Sequence, residues 1–368
     1  MRSNLLITFF LCGTLSFAQK VNDLKFVDAQ ELEILGRAFD NTEGLYGRLP
    51  LDMKNEYREE LWYLGANTAG VAVRFSSNAK ALGAKWSLLN DFSMNHMAST
   101  GIKGIDLYVL NNEKWHYLGT SRPNGKQSSS LIISNMEGIE KEYLAYLPLY
   151  DAATALEFGC DSAAFISKPK QNILRSYKVT NNKPIVFYGT SIVQGGCASR
   201  PGMIHTSIIG RALQSDVINL GFSGNARCDK SMLKTLQRID AKTYVLDFLP
   251  NCTIEMVKDS AEYFISNLAK AKPDAEIYLV ENINFPTAIA DTKNAKELQE
   301  ENAQLYAIYE RLKKNHKNLI YIKTDEIIGT DGESTVDGVH LTDLGFMRFA
   351  ENLLKYIQNG LLRRSSSQ

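Results

Sequence analysis

An excess of charge is what this sequence most plainly lacks. Its 41 Lys+Arg residues balance 41 Asp+Glu across 368 residues. A nucleic-acid partner would need a basic footprint, and no local basic run supplies one. Past the first residues there is no apolar run of membrane-spanning length, which excludes membrane insertion by helices. Cysteine is scarce at five residues, and no Cys/His spacing resembles a zinc site. Cys160, Cys197, Cys228 and Cys252 could pair in three ways. A chain of this size does not depend on such bonds, so unpaired buried thiols are the simpler expectation.

What is present begins with a leader. Residues 1–18 carry Arg2, an apolar stretch over 5–15 and a Ser-Phe-Ala ending. That is the pattern of a signal peptide cut after Ala18, too short to span a bilayer. The mature chain is therefore expected to be secreted or periplasmic. From 19 to 178 the signals are those of β-structure. Short apolar or alternating runs such as GVAVRFSS, ALGAKWSLL, GIDLYVLNN and EYLAYLPLY are separated by Asn-, Gly- and Ser-rich turns. Their spacing predicts an antiparallel β-sandwich of jelly-roll type. Trp62, Trp86 and Trp115 could stack sugars, but aromatic residues within strands are usually core.

From 179 to 362 the rhythm changes. Five apolar strands (PIVFYG, VINLG, TYVLDFL, EIYLVEN, LIYIKT) alternate with helical segments, the last helix capped by Thr342 and running through Ile357. Residues 363–368 read as a flexible tail. Strand–helix alternation implies a parallel sheet covered by helices, with sites beyond the strands' carboxyl ends. Ser191, Gly224 and Asn251 all fall there.

A serine hydroxyl needs a base to become a nucleophile. Of the histidines, His340 has the distinctive setting: in DGVHLTDLG, Asp337 precedes it by three residues. On a tight loop that carboxylate can orient one ring nitrogen while the other faces outward. Taken alone, Asp337 and His340 also fit a turn before a helix. The backbone N–H groups of Ser191 and Gly224 and the side-chain amide of Asn251 are candidate oxyanion donors. Taken alone, Gly224 also fits a left-handed turn and Asn251 a turn after Pro250. Ser223 is a rival nucleophile, ranked lower because it lacks the second flanking glycine. Arg200 and His205, just beyond Ser191, could line the pocket, and Asn95 and His96 could reach substrate from the loop 90–101.

The order Ser, Gly, Asn, Asp-x-x-His is what gives the pattern specificity. Gly189-Thr190-Ser191-Ile192, Gly224, Asn251 and Asp337 with His340 together resemble the SGNH (GDSL-type) hydrolase superfamily, over roughly 184–356. The resemblance implies a flavodoxin-like three-layer α/β/α domain, with Ser191 as nucleophile, His340 as base, Asp337 as its orienter and Gly224 and Asn251 as oxyanion donors. Two departures stand out: Thr190 replaces the motif's Asp, and Leu249-Pro250-Asn251-Cys252 keeps only the Asn of Gly-x-Asn-Asp. With the sandwich upstream, the chain looks like the subgroup of secreted bacterial carbohydrate esterases. That implies a short acyl group, such as acetyl, removed from carbohydrate with no metal or organic cofactor. A lipase or lysophospholipase on the same triad, or a carbohydrate-binding protein with a decayed catalytic domain, are the alternatives.

Overall fold

The computed structural model describes residues 20–170 and 183–365. The expected leader (1–18), the boundary at 178/179 and residues 366–368 lie outside them. Residues 363–365, expected in the tail, continue the last helix, which spans Asp343–Ser365.

The first half is a β-sandwich, and every strand pairing in it is antiparallel. One sheet runs Lys25–Asp28, Ala153–Cys160, Leu82–Leu88, Gln127–Ile133. The other runs Ile166–Ser167, Ala72–Ser77, Lys141–Tyr146, Asp106–Asn111, Lys114–Thr120, and Glu33–Leu35 also pairs with Ala72–Ser77. Phe75, Trp86, Leu107, Tyr143 and Phe158 fill the space between the sheets. The second sheet is covered on its other face too, where Ala72, Tyr108, Leu144 and Tyr146 form a separate buried cluster. Burial on both faces explains why Ala72–Ser77 is buried throughout rather than alternating. The strands at Lys25–Asp28 and Glu33–Leu35 were not anticipated, because their KFVD and EIL are too short to stand out.

The second half is a five-stranded parallel sheet. Its strands are β1 (Ile185–Gly189), β2 (Val217–Gly221), β3 (Thr243–Asp247), β4 (Glu276–Val280) and β5 (Leu319–Ile322), in the order β2-β1-β3-β4-β5. This is the flavodoxin-like order, with a switch point beside β1. All five strands of the sheet read as apolar runs because helices cover both faces. His205–Leu213 and Asp343–Ser365 pack on one face. Lys230–Arg238, Glu262–Ala271 and most of Thr292–Leu312 pack on the other.

The two halves share a core. Leu49, Met53, Tyr57 and Leu61, from the first half, belong to the same buried cluster as Tyr188, Phe222, Met232 and Phe264. Met53 comes from the 3₁₀ turn Leu51–Glu56 and Leu61 from the helix Glu59–Gly65, with Leu49 and Tyr57 just outside them. Each such side chain contributes roughly 1.5–3 kcal/mol by leaving water. Among the described residues no helix is long and apolar enough to cross a membrane.

Candidate active site

Ser191 opens a one-turn helix, Ser191–Gln194, directly after β1. Gly189 is needed before it by close approach, since a Cβ there would lie 2.4 Å from both the Asp247 carbonyl oxygen and Val193 Cγ2. Thr190, the departure from the motif, caps the turn by accepting from the Ile192 N–H at 3.3 Å. The serine lies almost buried, 7% exposed.

The loop 336–340 is pinned as a small hairpin, with Val336 N–H donating to the His340 carbonyl at 2.8 Å and Thr342 N–H to the Ser334 carbonyl at 2.9 Å. Within it, Asp337 Oδ1 accepts from the backbone N–H groups of Val339 (3.0 Å) and His340 (2.8 Å). Asp337 Oδ2 lies 2.8 Å from His340 Nδ1, and His340 Nε2 lies 3.0 Å from Ser191 Oγ. Partial burial pushes the Asp337 carboxyl up. The His340 ring and the two backbone N–H groups outweigh it and hold the group at about 2. The carboxylate is thus ionised at neutral pH, fixing the His340 tautomer with Nδ1 as donor and Nε2 as acceptor.

The expected oxyanion donors sit on neighbouring loops. Gly224 has φ +68°, and a Cβ there would meet nothing within 4 Å, so the left-handed turn rather than crowding demands glycine. Asn251 ends the turn Leu249–Asn251, and its Oδ1 accepts from the Ala226 N–H at 3.3 Å. That bond ties Asn251 to the 222–226 loop and leaves Nδ2 as the donating end. Ser223, the rival nucleophile, is committed elsewhere: its N–H donates to Gln194 Oε1 at 2.9 Å and its side chain bonds Tyr150.

Of the four expected substrate contacts, the structure brings one beside the relay. The His96 ring centroid is 5.7 Å from that of His340, and His96 Nδ1 lies 3.0 Å from Asn95 Oδ1. Arg200 and His205 are placed otherwise. Arg200 donates to Asp106 Oδ2 (2.7 Å) and Tyr108 Oη (2.6 Å) and lies 3.9 Å above the Tyr117 ring. It is a clamp between the halves. His205 is fully buried among Phe187, Phe346 and Phe349, and neither ring nitrogen has a partner. Burial lowers it to about 3, so it is a neutral core residue.

Sequence reasoning missed Tyr150, Gln194 and Arg48. Tyr150 Oη donates to the Ser191 carbonyl at 3.3 Å, and burial pushes the phenol up, so it stays protonated. Gln194 Nε2 donates to the Leu149 carbonyl at 3.2 Å. Arg48, 2% exposed, donates to the carbonyls of Asn67 (2.7 Å), Leu64 (2.7 Å), Asn219 (3.1 Å) and Gly221 (2.8 Å), the last just before the 222–226 loop. No local pattern marks these residues, since each acts across sequence distance.

All four described cysteines are free and buried. Cys197 holds φ +72°, and burial, with the Asp337 charge adding to it, pushes its thiol up to about 12. The ligand atoms of His96, Cys197, Asp337 and His340 all lie within 4.8 Å of one another. This N/S/O set could hold a transition-metal cation, which would compete with the serine for His340.

Residues 182–358 match the GDSL-like lipase/acylhydrolase family, and residues 24–166 match GxDLY, the N-terminus of SGNH-hydrolase-type esterases. A solved structure described as a GDSL-like lipase from Bacteroides ovatus is 34% identical, with TM-score 0.86, covering 92% of this chain and 98% of that one. The chain belongs to the GDSL-like acylhydrolase family. As a member it is an ester-bond hydrolase. The letters of the GxDLY family are present as Gly104-Ile105-Asp106-Leu107-Tyr108, so its Asp and Tyr are the two residues that grip Arg200. Two further structures share the fold. The salicylyl-acyltransferase SsfX3 from a tetracycline biosynthetic pathway has TM-score 0.70 at 15% identity, covering 90% of this chain and 96% of that one. A family two carbohydrate esterase from Cellvibrio japonicus has TM-score 0.55 at 13%, covering 91% and 98%. No curated protein matches the chain.

Proposed function

We propose that this protein is an exported serine esterase that cleaves acyl groups from carbohydrate through an acyl-enzyme. The observation that carries the reading is the continuous relay from Ser191 Oγ to His340 Nε2 (3.0 Å) and from His340 Nδ1 to Asp337 Oδ2 (2.8 Å). His340 takes the serine proton as Oγ attacks the ester carbonyl, and Asp337 stabilises the imidazolium that results. The Ser191 and Gly224 N–H groups and Asn251 Nδ2 receive the oxyanion. His340 then returns the proton to the departing alkoxide. In the second half it deprotonates a water that attacks the acyl-enzyme, releasing the acid and restoring Ser191.

The carbohydrate alcohol is supported by the shared fold with a family two carbohydrate esterase, and export by the leader expected over 1–18. Completeness of the relay favours an enzyme over a decayed binder. Ser191→Ala should reduce p-nitrophenyl acetate hydrolysis by about 10⁴-fold or more while the thermal transition stays in place. A fluorophosphonate probe should label wild type at Ser191. Full turnover by the variant, or labelling at Ser223 instead, would remove the assignment.

A further inference from the structure

A cavity of about 1210 Å³ opens where the sandwich meets the catalytic loops. Ligand pockets commonly measure roughly 300–1,000 Å³, so this one far exceeds what an acetyl group occupies. Ser191, Asp337 and His340 do not line it, but neighbours of the candidate active site do. On one side Ser223 and Asn225, which flank Gly224, form the wall, and Arg58 holds Asn225 Oδ1 at 2.6 Å. On the other lies Met94, two residues before the His96 that stands against His340. Tyr150, bonded to the Ser191 carbonyl, lines it between them.

The outer wall is aromatic and aliphatic. Tyr63, Leu89 and Phe92 line it while remaining 44%, 43% and 38% exposed, with Tyr63 and Phe92 edge to face at 6.5 Å. Grouped apolar exposure of this kind marks a surface with something to cover it. The charged groups near the rim are only partly engaged with one another, and Glu59 is exposed. Glu43 is paired with Lys54 at 2.9 Å, and Glu60 is near Arg58 at 3.9 Å.

We propose that this cavity seats an aromatic group of the ester substrate. The aromatic group belongs to the acyl half or to the alcohol half of the ester. Rings stack favourably on Trp, Tyr and Phe walls, and the apolar lining disfavours a polyhydroxylated guest. The inference rests on the ester-hydrolase reading and names its substrate more closely. On the acyl half the ring replaces acetyl and keeps the carbohydrate alcohol proposed above; on the alcohol half it would replace that carbohydrate.

Two pairs of esters separate the halves. The acyl arm compares p-nitrophenyl benzoate with p-nitrophenyl acetate, and the alcohol arm compares benzyl acetate with ethyl acetate. Each kcat/KM is divided by that ester's hydroxide-catalysed rate. Wild type should prefer the aromatic member of at least one pair by about 10-fold or more. Ala66→Phe fills the cavity from its half-buried wall, and Phe92→Ala removes an exposed part of the lining. Both should lower that same ratio, the first by about 10-fold and the second by about 3-fold. The ratio cancels any general loss of folded enzyme. A binding arm uses Ser191→Ala, whose tryptophan emission should be quenched by benzyl acetate or methyl benzoate, with the quenching lost on adding Ala66→Phe. Quenching without hydrolysis by wild type would leave the cavity standing and remove the esterase reading. Hydrolysis with no aromatic preference, or ratios that Ala66→Phe does not move, would overturn the proposal. So would an Ala66→Phe variant whose chief loss is on acetylated xylo-oligosaccharide.

Discussion

The two halves of this chain differ in how they contribute to one site. The parallel-sheet half brings Ser191, His340 and Asp337 together at strand and helix ends, as a doubly wound sheet does. The sandwich half donates none of the three, yet it surrounds them. Arg48 grips β2 at Gly221, Arg58 grips Asn225, Tyr150 reaches the Ser191 carbonyl, and Asp106 with Tyr108 holds Arg200, nine residues past the serine. The chemistry is encoded locally in one half, and its support is encoded at long range in the other. A tether would make no such contacts.

The comparison is broken most directly at Arg48. Burial works against its charge and lowers it to about 9, so it remains a cation at neutral pH. No carboxylate pairs with it among the described residues; carbonyl dipoles and the Phe222 ring, 4.8 Å away, take that place. Arg48→Met would leave four carbonyls short of donors and loosen the approach to Gly224. Denaturant melts should show a loss of about 3–5 kcal/mol. Residual p-nitrophenyl acetate turnover per folded molecule should also fall. An Arg48→Met protein with wild-type stability and rate would mean that the sandwich is only an attached module.

The same division explains what could be read in advance. The strands of the sheet were legible because each is a buried apolar run between helices of the right length. The relay was legible because Asp337 and His340 are three residues apart and Ser191 sits at a strand end. Arg200 and His205 were proposed from nearness in sequence to Ser191, and that is a poor guide. The chain turns at Pro201, sending one side chain to Asp106 and the other into a phenylalanine cluster. Trp62, where core was favoured over sugar stacking, packs against the catalytic-half core and also lines the cavity. Periodicity reports that a face is covered without reporting by what.

His205 sharpens the contrast in stability. Neither histidine of the sandwich half, His96 or His116, is buried, whereas the catalytic half buries His205 with no hydrogen-bond partner. Its folded value of about 3 lies below the ordinary 6.5, so between those values the unfolded chain binds the extra proton. Stability from this residue is intact above about pH 6.5 and is lost as the pH falls towards 3. By pH 4 the loss should reach roughly 3 kcal/mol. His205→Phe, matched to its three phenylalanine neighbours, should remove that part of the acid sensitivity. The measurement is the urea midpoint at pH 7 and at pH 4, with a smaller difference between the two in the variant. Equal differences would show that the acid-labile group lies elsewhere.

The smallest expected effect tests the finest contact between the halves. Tyr150→Phe keeps the ring that packs beside Ile192 and Cys197 and deletes only the hydroxyl bonded to the Ser191 carbonyl and to Ser223. Losing one such bond is worth about 1 kcal/mol. If that bond holds the nucleophile's backbone in line with His340, the cost should fall on the transition state. For p-nitrophenyl acetate kcat should drop about 3- to 10-fold with KM little changed, and the thermal midpoint should move by only a few degrees. If the hydroxyl only stiffens the interface, the midpoint will fall while kcat holds, because each folded molecule would still present Ser191 correctly. The split between kcat and the midpoint thus decides whether the sandwich half sets the geometry of the nucleophile or merely adds to the stability of the domain that carries it.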